Sequence, residues 1–222
     1  MACYQEHSVI NDTPALSVED EADLDATIQT IAENHGYVSN LMQTLALAPQ
    51  GLAAFAALNT YTSYGSHLTP LQRQLTILIA VRDVHYGWAH HAPLAHAAGV
   101  TEEQLQLLRE GRVPKDLPPA EHALCDYAFE ITAGRRVPPR VAEGMHAHFA
   151  PRQIVDAALL TAYSMAVAAL ALGLEVPIEP PETLQFELEW QQHRANEQDL
   201  AAFFADGVDG GPAPAMTVKR EV

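Results

Sequence analysis

The chain has 222 residues, 48% of them hydrophobic, enough for one sizeable domain with tails. Its 28 acidic residues against 12 basic ones give a formal net charge of −16, which speaks against nucleic acid or an anionic membrane surface as a partner, since both demand clustered Lys and Arg. With Cys3 and Cys125 as the only cysteines, a disulfide framework is excluded and a reduced, cytoplasmic setting is expected.

Residues 1–16 read as a flexible N-terminus, and Met1 to His7 show no basic head or apolar stretch for export. Ser17 opens a helix with Glu19, Asp20 and Glu21 near its positive end. Leu24, Ile28 and Ile31 form its apolar stripe, and His35-Gly36 ends it. Leu41, Leu45 and Leu47 make a short second helix that stops before Pro49, and Gln50 to Tyr64 reads as an Ala-rich third. After the turn Gly65-Ser66-His67, Thr69 caps a new helix whose first turn holds Pro70. The run from Leu71 to Val81 is apolar on almost every side, as in a helix central to a bundle. A polar-aromatic cluster follows, His85, Tyr86, Trp88, His90 and His91, and the Ala-rich sequence after it closes at Gly99.

Thr101 to Gln104 is a capping-box pattern, followed by Leu105, Leu107 and Leu108 and a stop at Gly111. Further helices are predicted from Pro119 to Gly134, from Pro138-Pro139 through Phe149, and from Pro151 to Gly173. The last is apolar enough to pass a crude membrane test, but its small residues and the polar Thr161, Tyr163 and Ser164 favour a buried helix. The prolines at 177, 180 and 181 mark a boundary. The predicted organisation is a helical domain over 17–178, an amphipathic C-terminal helix over 179–206 and a disordered tail over 207–222. Leu184, Leu188 and Trp190 would anchor that helix, with a neighbouring subunit as one surface for it. No alternating strand pattern, fixed-period repeat or Gly-rich phosphate loop is present, so the fold class is all-α.

The stretch Val84-His85-Tyr86-Gly87-Trp88-Ala89-His90-His91 resembles the carboxymuconolactone decarboxylase and alkylhydroperoxidase-D-like (AhpD-like) superfamily. It keeps the Tyr, the Trp and the final His of the decarboxylase-like pattern. The lead-in from Leu71 to Leu75 and the downstream Ala98-Gly99-Val100-Thr101 read alike, and the order of helices fits from His35 to Pro177. The resemblance implies a helical unit that builds trimers or hexamers. It also implies cofactor-independent lyase or isomerase chemistry on a small carboxylated or lactone-like compound. The departures are specific. The peroxidase branch places Cys-x-x-Cys where Val84 and Gly87 stand, so thiol-based peroxide reduction is rejected for this motif. The decarboxylase branch usually has a Glu at position 87 and another near position 74. The shorter lead-in leaves both Gln72 and Gln74 as candidates for the latter.

His91 is the candidate general acid/base, because imidazole exchanges protons near neutral pH. Its plain alternative is a buried ring satisfied by one hydrogen bond. Tyr86 is a candidate donor to a developing oxyanion, or an aromatic filling a helix interface. Trp88 reads as a pocket wall, His90 and His85 as substrate-binding groups or solvated surface, and Gln74 as a polar orienter. Adjacent His90 and His91 point about 100° apart on a helix, so they do different jobs. No cofactor is expected. A metal site built from His85, His90, His91 and His96 is the competing chemistry, although no His-Glu-x-x-His spacing is present. A scaffold kept for ligand binding or assembly is the non-catalytic alternative.

Overall fold

The structure, a computed structural model, describes residues 18–196. The helices are α1 (Val18–His35), α2 (Asn40–Leu45), α3 (Pro49–Thr60), α4 (Pro70–Val81), α5 (His85–Ala97) and α6 (Glu102–Arg109). They continue with α7 (Pro119–Thr132), α8 (Pro139–His148), α9 (Pro151–Gly173) and α10 (Pro181–Asn196). Among the described residues no strand is present. The predicted flexible N-terminus, the disordered tail and the reach of the last helix to residue 206 lie outside the described residues.

Helix α4 is the axis of the fold. Thr69 accepts from the Gln72 N–H while Gln72 caps the Thr69 N–H in return, which satisfies two N-terminal donors and starts the helix sharply. One side of α4 packs with α5, α6 and α7 through Leu75, Leu78, Ile79, Ala95, Leu108 and Ala128. Another side meets α9. Helix α9 is long and apolar enough to cross a membrane by length and composition, and it packs Ala157, Leu160, Ala168 and Ala171 into the cores formed with α4, α5 and α7. Its buried hydroxyls turn inward on the helix itself, Thr161 to the Ala157 carbonyl at 2.7 Å and Ser164 to the Leu160 carbonyl at 2.8 Å.

Two local features depart from the sequence expectation. The third helix widens into a π-helical turn over Tyr61–Gly65, instead of running regularly to Tyr64. Buried Asp156 of α9 holds this turn, accepting from the Tyr61 hydroxyl at 2.5 Å and from the His67 N–H at 2.9 Å. The C-terminal helix also has a partner in its own chain, for α10 packs on α5 and α1. Gly36 ends α1 at φ +79°, and a Cβ there would lie 2.6 Å from the Trp190 ring. Only glycine satisfies both the left-handed backbone and that approach.

Candidate functional site

A cavity of about 140 Å³ opens between α1, the π turn, α4, α5, α9 and α10. Its walls mix apolar groups (Ile31, Leu41, Met42, Ile77, Val81, Leu160) with His35, Tyr37, Arg73, Gln74, Tyr86, His90, His91 and Glu187. The short link between α4 and α5 sets the site. It brings Gly87 so close to Val81 that a Cβ there would lie 2.7 Å from the Val81 Cβ. The Glu or Cys that the resemblance implies at position 87 has no room here.

His91 is half-buried and lines the cavity. Its Nδ1 lies 3.0 Å from Gln74 Oε1. With the amide assigned this way round, Nδ1–H donates to a carbonyl-type oxygen and Nε2 keeps a free lone pair. Burial, and the charge on neighbouring His90, push its pKa down to about 4 against the opposing influence of Glu187. The ring is therefore neutral and base-ready around neutral pH.

His90, one residue away, faces a different environment. Its Nε2 lies 2.6 Å from Glu179 and its Nδ1 2.5 Å from Glu187. Both ring nitrogens must donate, which requires the imidazolium. Burial opposes that charge, but the two carboxylates outweigh it and raise the pKa to about 10. Glu179 is itself buried, yet the hydrogen bond and charge of His90, the Asn40 N–H at 2.7 Å and the Tyr86 hydroxyl at 2.9 Å overcome desolvation and hold it below the ordinary carboxylate range. Burial and the neighbouring Glu179 raise the phenol of Tyr86. Burial first, and then Glu187, do the same at Tyr37, whose hydroxyl stands 3.5 Å from His90.

The structure thus separates the sequence candidates. It brings His91, Gln74, His90 and Tyr86 to one cavity. Gln74 stands against His91, whereas Gln72 turns away to cap α4 and to donate to Glu121 at 3.0 Å. His90 does not offer a free nitrogen to a ligand, since both are spent on carboxylates. Tyr86 gives its single O–H to Glu179 and receives the Leu41 N–H at 3.4 Å, so it has no donor left for an oxyanion. Trp88 does not line the cavity. It packs on the core beside α6 with the Arg109 guanidinium over its ring, 5.0 Å from the centroid. His85 is exposed and also lies off the cavity. The four imidazoles do not converge either, because His85 faces solvent and His96 leans on the Val100 carbonyl at 3.2 Å. Among the described residues no group of three or more His, Cys, Asp or Glu could hold a metal ion.

Glu179, Glu187, Tyr37 and Arg73 were not among the sequence candidates. Glu179 hides in a proline run that reads as a boundary. Glu187 had a usable signal: it follows Leu184 by one helical turn and precedes Gln191 by another, so it shares the inward face of α10.

Three solved structures share this arrangement of helices. A peroxidase-related protein from Ralstonia eutropha with an alkylhydroperoxidase AhpD core matches at TM-score 0.63 and 19% identity, over 80% of this chain and 95% of its own. The debrominase Bmp8 in complex with 2,3,4-tribromopyrrole matches at TM-score 0.62 and 16% identity, over 82% of this chain and 99% of its own. ATU0492 of Agrobacterium tumefaciens, a protein of unknown function, matches at TM-score 0.55 and 20% identity, over 61% and 95%.

The chain has the AhpD-like fold. No family model and no curated protein matches this sequence. Val84 and Gly87 stand at the head of α5, where the resemblance implies a Cys-x-x-Cys pair. The described cysteine, Cys125, is buried in the core of α7, where burial pushes its thiol well above the ordinary value.

Proposed function

We propose that the cavity is a cofactor-independent acid/base site acting on a small carboxylated or lactone-like compound, by decarboxylation or isomerisation. The observation that carries this reading is His91 at the wall of an open hollow, its Nδ1 3.0 Å from Gln74 Oε1 and, among the described residues, no hydrogen-bond partner at Nε2. In this reading Nε2 takes a proton from a carbon conjugated through a C=C bond to a carbonyl, the double bond shifts by one position, and the proton is returned two carbons away. In the decarboxylation, carbon dioxide leaves, and the electron pair of the broken C–C bond is taken into the carbonyl conjugation and then protonated by the imidazolium. A base with a pKa near 4 is weak, but a bound anion stabilises the imidazolium and moves the group toward the working pH. Tyr86 and His90 act at one remove. They fix Glu179 and Glu187, and with them the α10 wall.

The cavity is not filled by its own side chains, which favours an enzyme over an assembly scaffold. The same reading carries a cytoplasmic trimer or hexamer, for Val155, Leu159 and Leu172 leave apolar surface of α9 exposed.

The test is proton exchange in D2O, followed by NMR together with carbon dioxide release, across small carboxylated lactones and 2-oxo acids. The protein accelerates exchange or release for at least one of them. His91→Ala lowers that rate by roughly 10²–10⁴-fold, the usual worth of a general base, without changing the melting temperature. Undiminished turnover by the variant would sink the proposal.

A further inference from the structure

Helix α4 turns a second polar side chain into the cavity, next in sequence to Gln74. Arg73 is half-buried there, and among the described residues its one hydrogen bond runs from Nη1 to the Leu68 carbonyl at 2.9 Å. Among the described residues no carboxylate comes within 4.0 Å of the guanidinium. The contrast with His90 is direct: among the described residues that cation has two carboxylates and this one has none. A guanidinium carries five N–H donors in a planar fork suited to a carboxylate. Desolvating such a charge without a counter-ion is costly, and the cost is recovered when an anion arrives. Burial accordingly weakens the hold of Arg73 on its proton.

Size and charge narrow the anion. A cavity of about 140 Å³ is close to the roughly 150 Å³ that accommodates benzene. His90 and Glu187 line the same cavity, with Glu179 behind His90, and this cluster of two carboxylates and one imidazolium disfavours a dianion such as phosphate. Resting on the acid/base reading above, we propose that Arg73 binds the carboxylate of a small, ring-sized monocarboxylic acid, and that the site thereby selects acids over their neutral amides.

Isothermal titration with benzoate, benzamide and inorganic phosphate tests this on the intact protein. Benzoate binds at least about tenfold more tightly than benzamide, as a charge-assisted pair of hydrogen bonds implies, and more tightly than phosphate. Arg73→Gln abolishes the preference, and Arg73→Lys restores part of it. His91→Ala keeps it while losing turnover, which separates the anchor from the chemistry. Equal binding of benzoate and benzamide by the wild type, no benzoate binding, or an unchanged preference in a folded Arg73→Gln variant would each overturn the proposal. The wild-type comparison does not depend on any variant folding. If His91→Ala kept full turnover while the benzoate preference persisted, the acid/base reading would fall and the anchor would stand.

Discussion

At position 74, in the stretch where the resemblance implies a glutamate at 72 or 74, a glutamine stands against the imidazole, and the choice sets the character of His91. An amide oxygen orients the imidazole without adding charge, so burial and the His90 cation prevail and the ring stays neutral down to about pH 4. A carboxylate at the same 3.0 Å distance favours the imidazolium. Gln74→Glu therefore raises the His91 pKa toward its ordinary value, and the acidic limb of any pH–rate profile moves up with it. Titration of the ring by NMR checks the first half of this expectation. A His91 pKa that stays near 4 would show that desolvation alone controls the site.

Between elements, the corner from α4 to α5 is the tightest contact that bears on the site. Gly87 allows α5 to lie against Val81, whose side-chain atoms would stand only 2.7 to 3.0 Å from a Cβ at position 87. Gly87→Ala gains helix propensity but pushes the two helices apart, and overpacking of this kind costs about 1–3 kcal/mol. Urea unfolding should show that loss, and a gain in stability would mean that the corner relaxes freely. This contact also explains what the sequence could and could not reveal. Helix starts at Thr69, Thr101, Pro119, Pro139 and Pro151 were legible, because caps and N-terminal prolines act locally. The sequence offered both Gln72 and Gln74 as orienters of the substrate or of His91, and it is the packing of α4 on α5 that sets Gln74 against His91. The partners of His90 were not legible. Glu179 and Glu187 stand 89 and 97 residues away in sequence, and no local pattern encodes that pairing. For the same reason Trp88 and His85 looked like site residues: they share the motif with His91, yet their directions around α5 take them to the α6 side and to solvent.

For the molecule as a whole, three groups at the site couple folding to pH in opposite senses. His90 is raised from 6.5 to about 10, so the stability it contributes is fully present below pH 6.5 and is lost as the pH climbs through 10. His91 is lowered from 6.5 to about 4, so the unfolded chain takes up its proton first and stability falls as the pH drops from 6.5 to 4. Glu179 lies below its ordinary 4.5, and its contribution holds above that value and disappears in stronger acid. The summed contribution of these three groups is accordingly greatest near pH 6.5. The net charge of −16 adds a general repulsion at high pH, which salt of about 1 M screens to a Debye length of about 3 Å; the buried ion pairs of His90 are screened far less. Glu187→Gln removes one of the two carboxylates that hold the imidazolium. The alkaline loss in that variant becomes smaller and is complete at lower pH, while the acid limb that belongs to His91 persists. Urea unfolding of both proteins in high salt at about pH 5, 6.5 and 9 resolves the two limbs. A stability difference between them that is the same at all three pH values would mean that the His90 cluster holds α10 by packing, with its charge playing no part.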